Sequence, residues 1–294
     1  MTLVPMAQLV ADARAARRGI GAFNVITLEH AEGIVAGAEQ AGLPVILQLS
    51  ENTADYHGGL APLARATLEI AATATVDAVV HLDHATRPEL VRSAVDLGLG
   101  SVMIDASTLP HGENVALTQA LTRQCHAVGV WVEAELGEVG GKDGAHAPGV
   151  RTDPAEAADF VRATGVDALA VAVGSSHAML TRDAVLDDAL IAEIAGTVST
   201  PLVLHGSSGV PDAGLASAVR SGMLKINIAT HLNKAMTHAL RSALAADETL
   251  VDPRKYLGPA RTAIASEVAR LLGVLALRPT ALEAAPQRGG RGLT

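Results

Sequence analysis

Eight short runs rich in apolar and β-branched residues alternate along this chain with amphipathic stretches of helical period. That alternation restricts the fold more than any other feature. The runs lie at residues 20–25, 44–49, 77–82, 101–104, 130–134, 167–173, 201–204 and 223–228. Between them stand segments such as LEHAEGIVAGAEQAG and PAEAADFVRATG, with apolar residues at three- and four-residue steps. Strands that are apolar nearly throughout are buried on both faces, which requires a parallel sheet covered by helices. Eight such units predict an α/β fold of the (β/α)8 or TIM-barrel type. An open, doubly wound sheet is the alternative, and its dinucleotide-binding form is weakened because no G-x-G-x-x-G follows the first run. MAQLVADARAARRG reads as a helix before the first strand, and a further helix follows Tyr256. A single barrel domain over residues 1–277 is expected, followed by a flexible Pro/Gly/Arg-rich tail at 278–294. Aromatic residues make up only 2% of the chain, so Ala, Val, Leu and Ile must fill its core.

The same composition limits what the chain can bind. Its formal net charge is −9, and no basic cluster alternates with aromatics, so neither nucleic acid nor an acidic membrane is expected as a partner. The apolar runs are too short to span a bilayer and no leader precedes them, so a cytoplasmic protein is expected. The single cysteine, Cys125, falls in a helical segment and reads as a small buried hydrophobe. Zinc sites built on several thiolates are excluded.

In a barrel of this kind the reactive groups stand at the carboxyl ends of the strands. Read in order, those ends carry Asn24, Ser50, Asp83 with His84, Asp105, Glu133 with Glu135, His177, His205, and Asn227 with Thr230. His84, His177 and His205 offer three neutral nitrogen donors, a set that suits Zn²⁺ with a fourth position open to a substrate oxygen. Asp83, beside His84 in HLDH, can move a proton, while His81 reads as packing or support. The remaining histidines fall in helices or loops. HGSSG (205–209) and NIAT (227–230) read as phosphate cradles, because loops after the seventh and eighth strands recur as the anion site of this barrel; an ordinary Gly/Ser turn is the bland reading of the first. GEVGGKDGAHAPG (137–149) reads either as an active-site loop or as a passive surface loop. Of four lysines, only Lys225 lies in a predicted strand, and nothing around it suggests a Schiff-base nucleophile.

GAFNV, PVILQLS, HLDHA, SVMIDAS, VEAELGEVGG, AVAVGSSHA, PLVLHGSSG, KINIAT and DPRKY, taken together, resemble the zinc-dependent class II ketose-bisphosphate aldolases, the fructose- and tagatose-bisphosphate aldolases among them. The resemblance runs over about residues 19–267. It implies a lyase that cleaves or forms a phosphorylated ketose, with fructose 1,6-bisphosphate as the first substrate, through a zinc-stabilised enediolate of dihydroxyacetone phosphate. Tagatose 1,6-bisphosphate or another ketose phosphate is the alternative. By this resemblance His84, His177 and His205 hold zinc, and Asp83 is the acid/base at the C4 hydroxyl. Asp105 and Glu135 match positions that can hold a second or displaced cation, divalent or monovalent. Asn24 and Ser50 match substrate contacts, and Gly206, Ser208, Asn227 and Thr230 match the C1-phosphate site. Arg254 matches an arginine that reaches the distal phosphate across a subunit interface, which implies a homodimer or homotetramer. The chain departs from the family in two places. GGKDG supplies only Asp143 where a glutamate usually takes the enediolate-forming proton, so Asp143 substitutes, Glu138 serves, or proton abstraction is impaired. Ala178 stands where glycine is common. A zinc and sugar-phosphate binding protein that has lost proton abstraction is the rival from another class.

Overall fold

A computed structural model describes residues 3–136, 151–175 and 181–278. Eight parallel strands close into one barrel in chain order: β1 (Ile20–Asn24), β2 (Val45–Ser50), β3 (Ala78–Ala85), β4 (Ser101–Ile104), β5 (Trp131–Glu135), β6 (Ala168–Ala170), β7 (Leu202–Leu204) and β8 (Met223–Ile228). Pairing of β1 with β8 closes the barrel, with Ala22 opposite Asn227. The expected (β/α)8 barrel is therefore the observed fold, and the open sheet is not.

The helices among the described residues are α1 (Met6–Ala15), α2 (Leu28–Ala41), α3 (Glu51–Tyr56), α4 (Ala61–Ala72), α5 (Pro88–Asp96), α6 (His111–His126), α7 (Pro154–Thr164), α8 (Asp188–Thr197), α9 (Asp212–Ser221), α10 (Thr230–Ala246) and α11 (Pro253–Leu275). None is long and apolar enough to cross a membrane. Local chemistry sets several of their ends. Asp153 caps α7 by accepting from the amides of Ala155 and Glu156, with Pro154 following at the first helical position. Gly42 and Gly165 end α2 and α7 in the left-handed conformation that glycine adopts without strain.

The strands match the expected runs closely, with two informative differences. β3 continues three residues past the predicted end, through Ala85, and the first two of these, Asp83 and His84, carry site groups. β6 is shorter than its apolar run because the chain leaves the ladder after Ala170. Ala172 then exchanges hydrogen bonds with Thr152, and Gly174 turns away at φ 117°.

Small residues bring the last helix onto the barrel. Gly33 and Gly37, one turn apart on α2, face α11, where a Cβ at Gly37 would stand 2.4 Å from the carbonyl oxygen of Ala265. Side chains there would force the helices apart, and close packing would be lost. Below the strands, α1 closes the barrel floor: Met6, Leu9, Val10 and Ala13 pack with Ile20, Ala22, Ile46 and Val79. Met103, Ala168, Ala170 and Val203 form a second apolar group against Trp131. With that floor sealed, polar groups on the strands collect at the opposite end. The expected C-terminal tail lies, apart from Arg278, outside the described residues.

Candidate active site

Side chains two residues apart on a strand share a face, so Glu133 with Glu135 and Lys225 with Asn227 point the same way. In the barrel that way is inward, and all four are buried. His81 and Asp83 follow the same rule on β3. His84 does not, because strict alternation would turn it outward, away from Asp83. The backbone resolves the conflict at His84 itself, which adopts φ 50°, and the β3–β4 register shifts between Leu82 and Ala85. A non-glycine residue in this region carries roughly 1–2 kcal/mol of strain. The result is that adjacent residues reach one cluster, with ligand-type atoms of Asp83, His84 and His205 all within 4.8 Å of one another.

Each of these histidines is held by a buried carboxylate. His84 Nδ1 lies 2.7 Å from Asp105 Oδ2, and His205 Nε2 lies 3.0 Å from Glu133 Oε1. Ionised carboxylates only accept, so each of these nitrogens carries the proton and donates. Asn227 Nδ2 also stands 3.3 Å from His205 Nε2, but two donors cannot bond, and that amide donates instead to Asp83 Oδ1 at 3.1 Å. The remaining nitrogens, His84 Nε2 and His205 Nδ1, lie 2.8 Å apart, and in neutral rings both would carry lone pairs. Two lone pairs this close repel, so a proton or a metal cation must lie between them. Imidazole held through its second nitrogen by a buried carboxylate is the usual arrangement around a metal, so the donor set fits a divalent cation. His84, Asp105 and Glu135 form a second group that meets the same 4.8 Å criterion.

Beneath the histidines, Glu133 joins three strands. Its Oε2 accepts from Lys225 Nζ at 2.7 Å while Oε1 takes the His205 bond, and the residue is 1% exposed. His81 lies below, its Nδ1 2.8 Å from Ser101 Oγ. Burial, followed by the Lys225 charge, pushes the His81 imidazole well below its ordinary pKa, so it stays neutral. Asp83 receives a second amide, Asn24 Nδ2 at 3.4 Å on Oδ2, and Gln48 Nε2 donates to Asn24 Oδ1 at 2.7 Å.

Above this network opens a cavity of about 180 Å³. Asn24, Ser50, Asp83, His84, Gly206, Ser208, Asn227 and Thr230 all line it, as do Gln48, Glu51 and Asn52. One wall is suited to an anion. Gly206 takes φ 66° to turn the chain out of β7, and Ser207 Oγ ties the turn to the carbonyl of Asn227. α10 begins at Thr230 with no side-chain cap, which leaves its first amide groups free for a ligand at the positive end of the helix.

Of the sequence-expected residues, Asp105 and Glu135 lie beside His84, whereas Arg254 does not line the cavity. It is exposed on α11 and paired with Asp252 at 2.8 Å. His177, Ala178, Glu138 and Asp143 fall outside the described residues. The sequence reading gave no role to Glu133, Gln48 or Lys225. The two-residue spacing within WVEAE and MLKINI was the available signal, since it puts Glu133 and Lys225 on the inner face. Other histidines are occupied elsewhere: His30 takes part in the cap of α2, His126 meets Asp167, and His231 meets Glu267.

Comparison with known proteins agrees with this geometry. The family model described as fructose-bisphosphate aldolase class-II matches residues 4–278. The chain is 40% identical over 272 residues to a fructose-bisphosphate aldolase of Geobacillus stearothermophilus, covering 91% of this chain and 95% of the relative. It is 39% identical, with the same coverage, to one of Staphylococcus aureus. The solved YdjI aldolase of Escherichia coli K12 superposes with a TM-score of 0.81 at 31% identity, covering 93% of this chain and 97% of that one. A match across nearly the whole chain, joined to a closed barrel with its histidine and carboxylate groups at one mouth, places this protein in the class II fructose-bisphosphate aldolase family of carbon–carbon lyases.

Proposed function

We propose that the chain cleaves and forms fructose 1,6-bisphosphate with a Zn²⁺ held by His84, His205 and His177. The observation that carries this reading is the pair of imidazole nitrogens, His84 Nε2 and His205 Nδ1, converging to 2.8 Å, each ring fixed from behind by a buried carboxylate. Bound there, zinc supplies Lewis-acid polarisation of the ketose carbonyl and stabilises the charge left on the three-carbon product. Asp105 and Glu135 are the groups for a second or displaced cation beside His84. The fructose configuration follows the names of the relatives.

The chain's own residues handle the protons and phosphate. Asp83, fixed by the Asn24 and Asn227 amides, takes the C4 hydroxyl proton in cleavage and returns it in synthesis. Both amides donate to the carboxylate and fix its oxygens at the cavity wall. Gly206, Ser208, Asn227 and Thr230 receive the C1 phosphate against the start of α10, and Ser50 contacts substrate from the opposite wall. Asp143 is assigned the carbon-bound proton of dihydroxyacetone phosphate. Arg254, exposed and away from its own cavity, is assigned to a neighbouring subunit's distal phosphate, in a homodimer or homotetramer.

The test is fructose 1,6-bisphosphate cleavage with and without a chelator, paired with deuterium exchange from solvent into dihydroxyacetone phosphate. Cleavage should stop on chelation and return with zinc, and exchange should proceed in the zinc-loaded protein. Zinc-loaded protein that binds dihydroxyacetone phosphate without exchange would show a binding protein rather than an aldolase.

A further inference from the structure

A second cavity, of about 620 Å³, opens at the other end of the barrel, where β7 and β8 begin. Along β8, Met223 on its wall lies four residues from Asn227, about 13 Å at the rise of a strand, so the cavity is separate from the active site. Four arginines line it: Arg14, Arg17, Arg18 and Arg220. Among the described residues no aspartate or glutamate does, in a chain whose net charge is −9. Asp12 and Asp77 share a neighbouring cleft with Arg18 but are not ion-paired with it.

The ordinary explanation for such arginines is neutralisation of helix ends, and it falls short here. The C-terminal ends of α1, α8, α9 and α11 meet around the cavity. Each helix end carries roughly −0.5 charge, so the four together offset about two of the four guanidinium charges and leave about +2. The hydrogen bonding leaves a similar surplus. Arg14 spends one donor on the carbonyl of Ser199 at 2.6 Å, whereas the Nε of Arg18 is buried without a partner among the described residues. Arg17 (φ 49°) and Leu277 (φ 55°), which both line this cavity, close the ends of α1 and α11 in left-handed caps, with the amides of Arg18 and Arg278 bonded back to the carbonyls of Ala13 and Gly273.

We infer that this floor cavity is a second binding site for an organic phosphate, with a phosphate dianion among Arg17, Arg18 and Arg220 and the organic body against the apolar wall. Val198, Pro201 and Leu202 form that wall, and guanidinium planes stack on flat rings as well as binding phosphate. The volume lies within the range of roughly 300–1,000 Å³ typical of small-molecule sites. The inference does not depend on which sugar the opposite mouth cleaves.

Calorimetric titration of the full chain with AMP tests it. Saturable one-to-one binding is expected, weakened about tenfold in Arg18→Gln and in Arg220→Gln, since one charge-assisted hydrogen bond is worth about that factor. Arg220 is exposed and makes no bond among the described residues, so its substitution leaves the fold and the aldolase activity intact. Thr230→Val, at the active-site cradle, should leave AMP binding unchanged. The proposal is overturned by no saturable binding in the millimolar range, by equal affinity in both arginine variants, or by loss of binding in Thr230→Val. Inorganic phosphate binding as tightly as AMP would overturn the role given to the apolar wall.

Discussion

Replacing Glu133 by glutamine separates the two tasks this carboxylate performs. It holds His205 through Oε1 at 3.0 Å and neutralises Lys225 through Oε2 at 2.7 Å, with Glu133 and Lys225 1% and 5% exposed. Glutamine keeps the shape but not the charge, and leaves an ammonium buried without its counter-ion. Breaking a buried pair from one side costs about 3–5 kcal/mol, a large share of the roughly 5–15 kcal/mol that holds a typical domain together. His205 loses its charged acceptor at the same time, and an altered partner behind a metal-binding histidine weakens metal affinity by roughly 10- to 100-fold. The double variant Glu133→Gln/Lys225→Met removes both charges and should recover most of the stability in urea unfolding. Its zinc affinity, measured by competition with a chromogenic chelator, should remain 10- to 100-fold weak. If Glu133→Gln binds zinc as tightly as the parent chain, or if the double variant regains full affinity, Glu133 does not position His205 and the argument fails.

Asp83→Asn should reduce cleavage by roughly 10²- to 10⁴-fold while leaving the folded state intact, as read by steady-state rate and circular dichroism. Gly37→Ala would press a methyl group against the Ala265 carbonyl, a backbone atom that cannot swing aside; a loss of about 1–3 kcal/mol in urea unfolding is expected, with the active-site cavity untouched. Glu267 offers a pH test. Burial raises its carboxyl pKa, but bonds from Arg270 and His231 outweigh that and hold it at about 2, against an ordinary 4.5. A depressed carboxylate pKa contributes stability above its unfolded value and loses it as pH falls through the folded one, so this contribution fades between about pH 4.5 and 2. At about 1.4 kcal/mol per pH unit the full value is about 3 kcal/mol, and because Arg270 is 40% exposed, screening reduces it to about 1–2. Glu267→Gln should therefore be less stable than the parent at pH 7 by that amount and equal to it near pH 2.

Much of the site was legible because strand and helix periods differ. Once the eight runs are read as strands, a polar residue ending each one falls at a single mouth, and Asn24, Ser50, Asp83, His84, Asn227 and Thr230 share one cavity there. The partner relations among them were not legible. Glu133 and His205 are 72 positions apart and His84 and His205 are 121, and no local pattern says which carboxylate stands behind which imidazole. The HLDH motif shows the same limit at short range. Its alternation sends Asp83 and His84 to opposite faces, and only the φ of 50° at His84 and the slipped β3–β4 register bring them together.

The sequence by itself determined the architecture, since the spacing of apolar residues acts locally and repeats eight times, and it determined which residue types stand at the strand ends. The tertiary structure decided which atoms face one another: the pairing of His84 with Asp105 and of His205 with Glu133, the burial of Glu133 between a lysine and a histidine, and the gathering of four arginines at the barrel floor. Those depend on barrel closure, on strand register and on one strained residue. Contacts of that kind are made between segments far apart in the chain, so each is set only when the whole barrel forms.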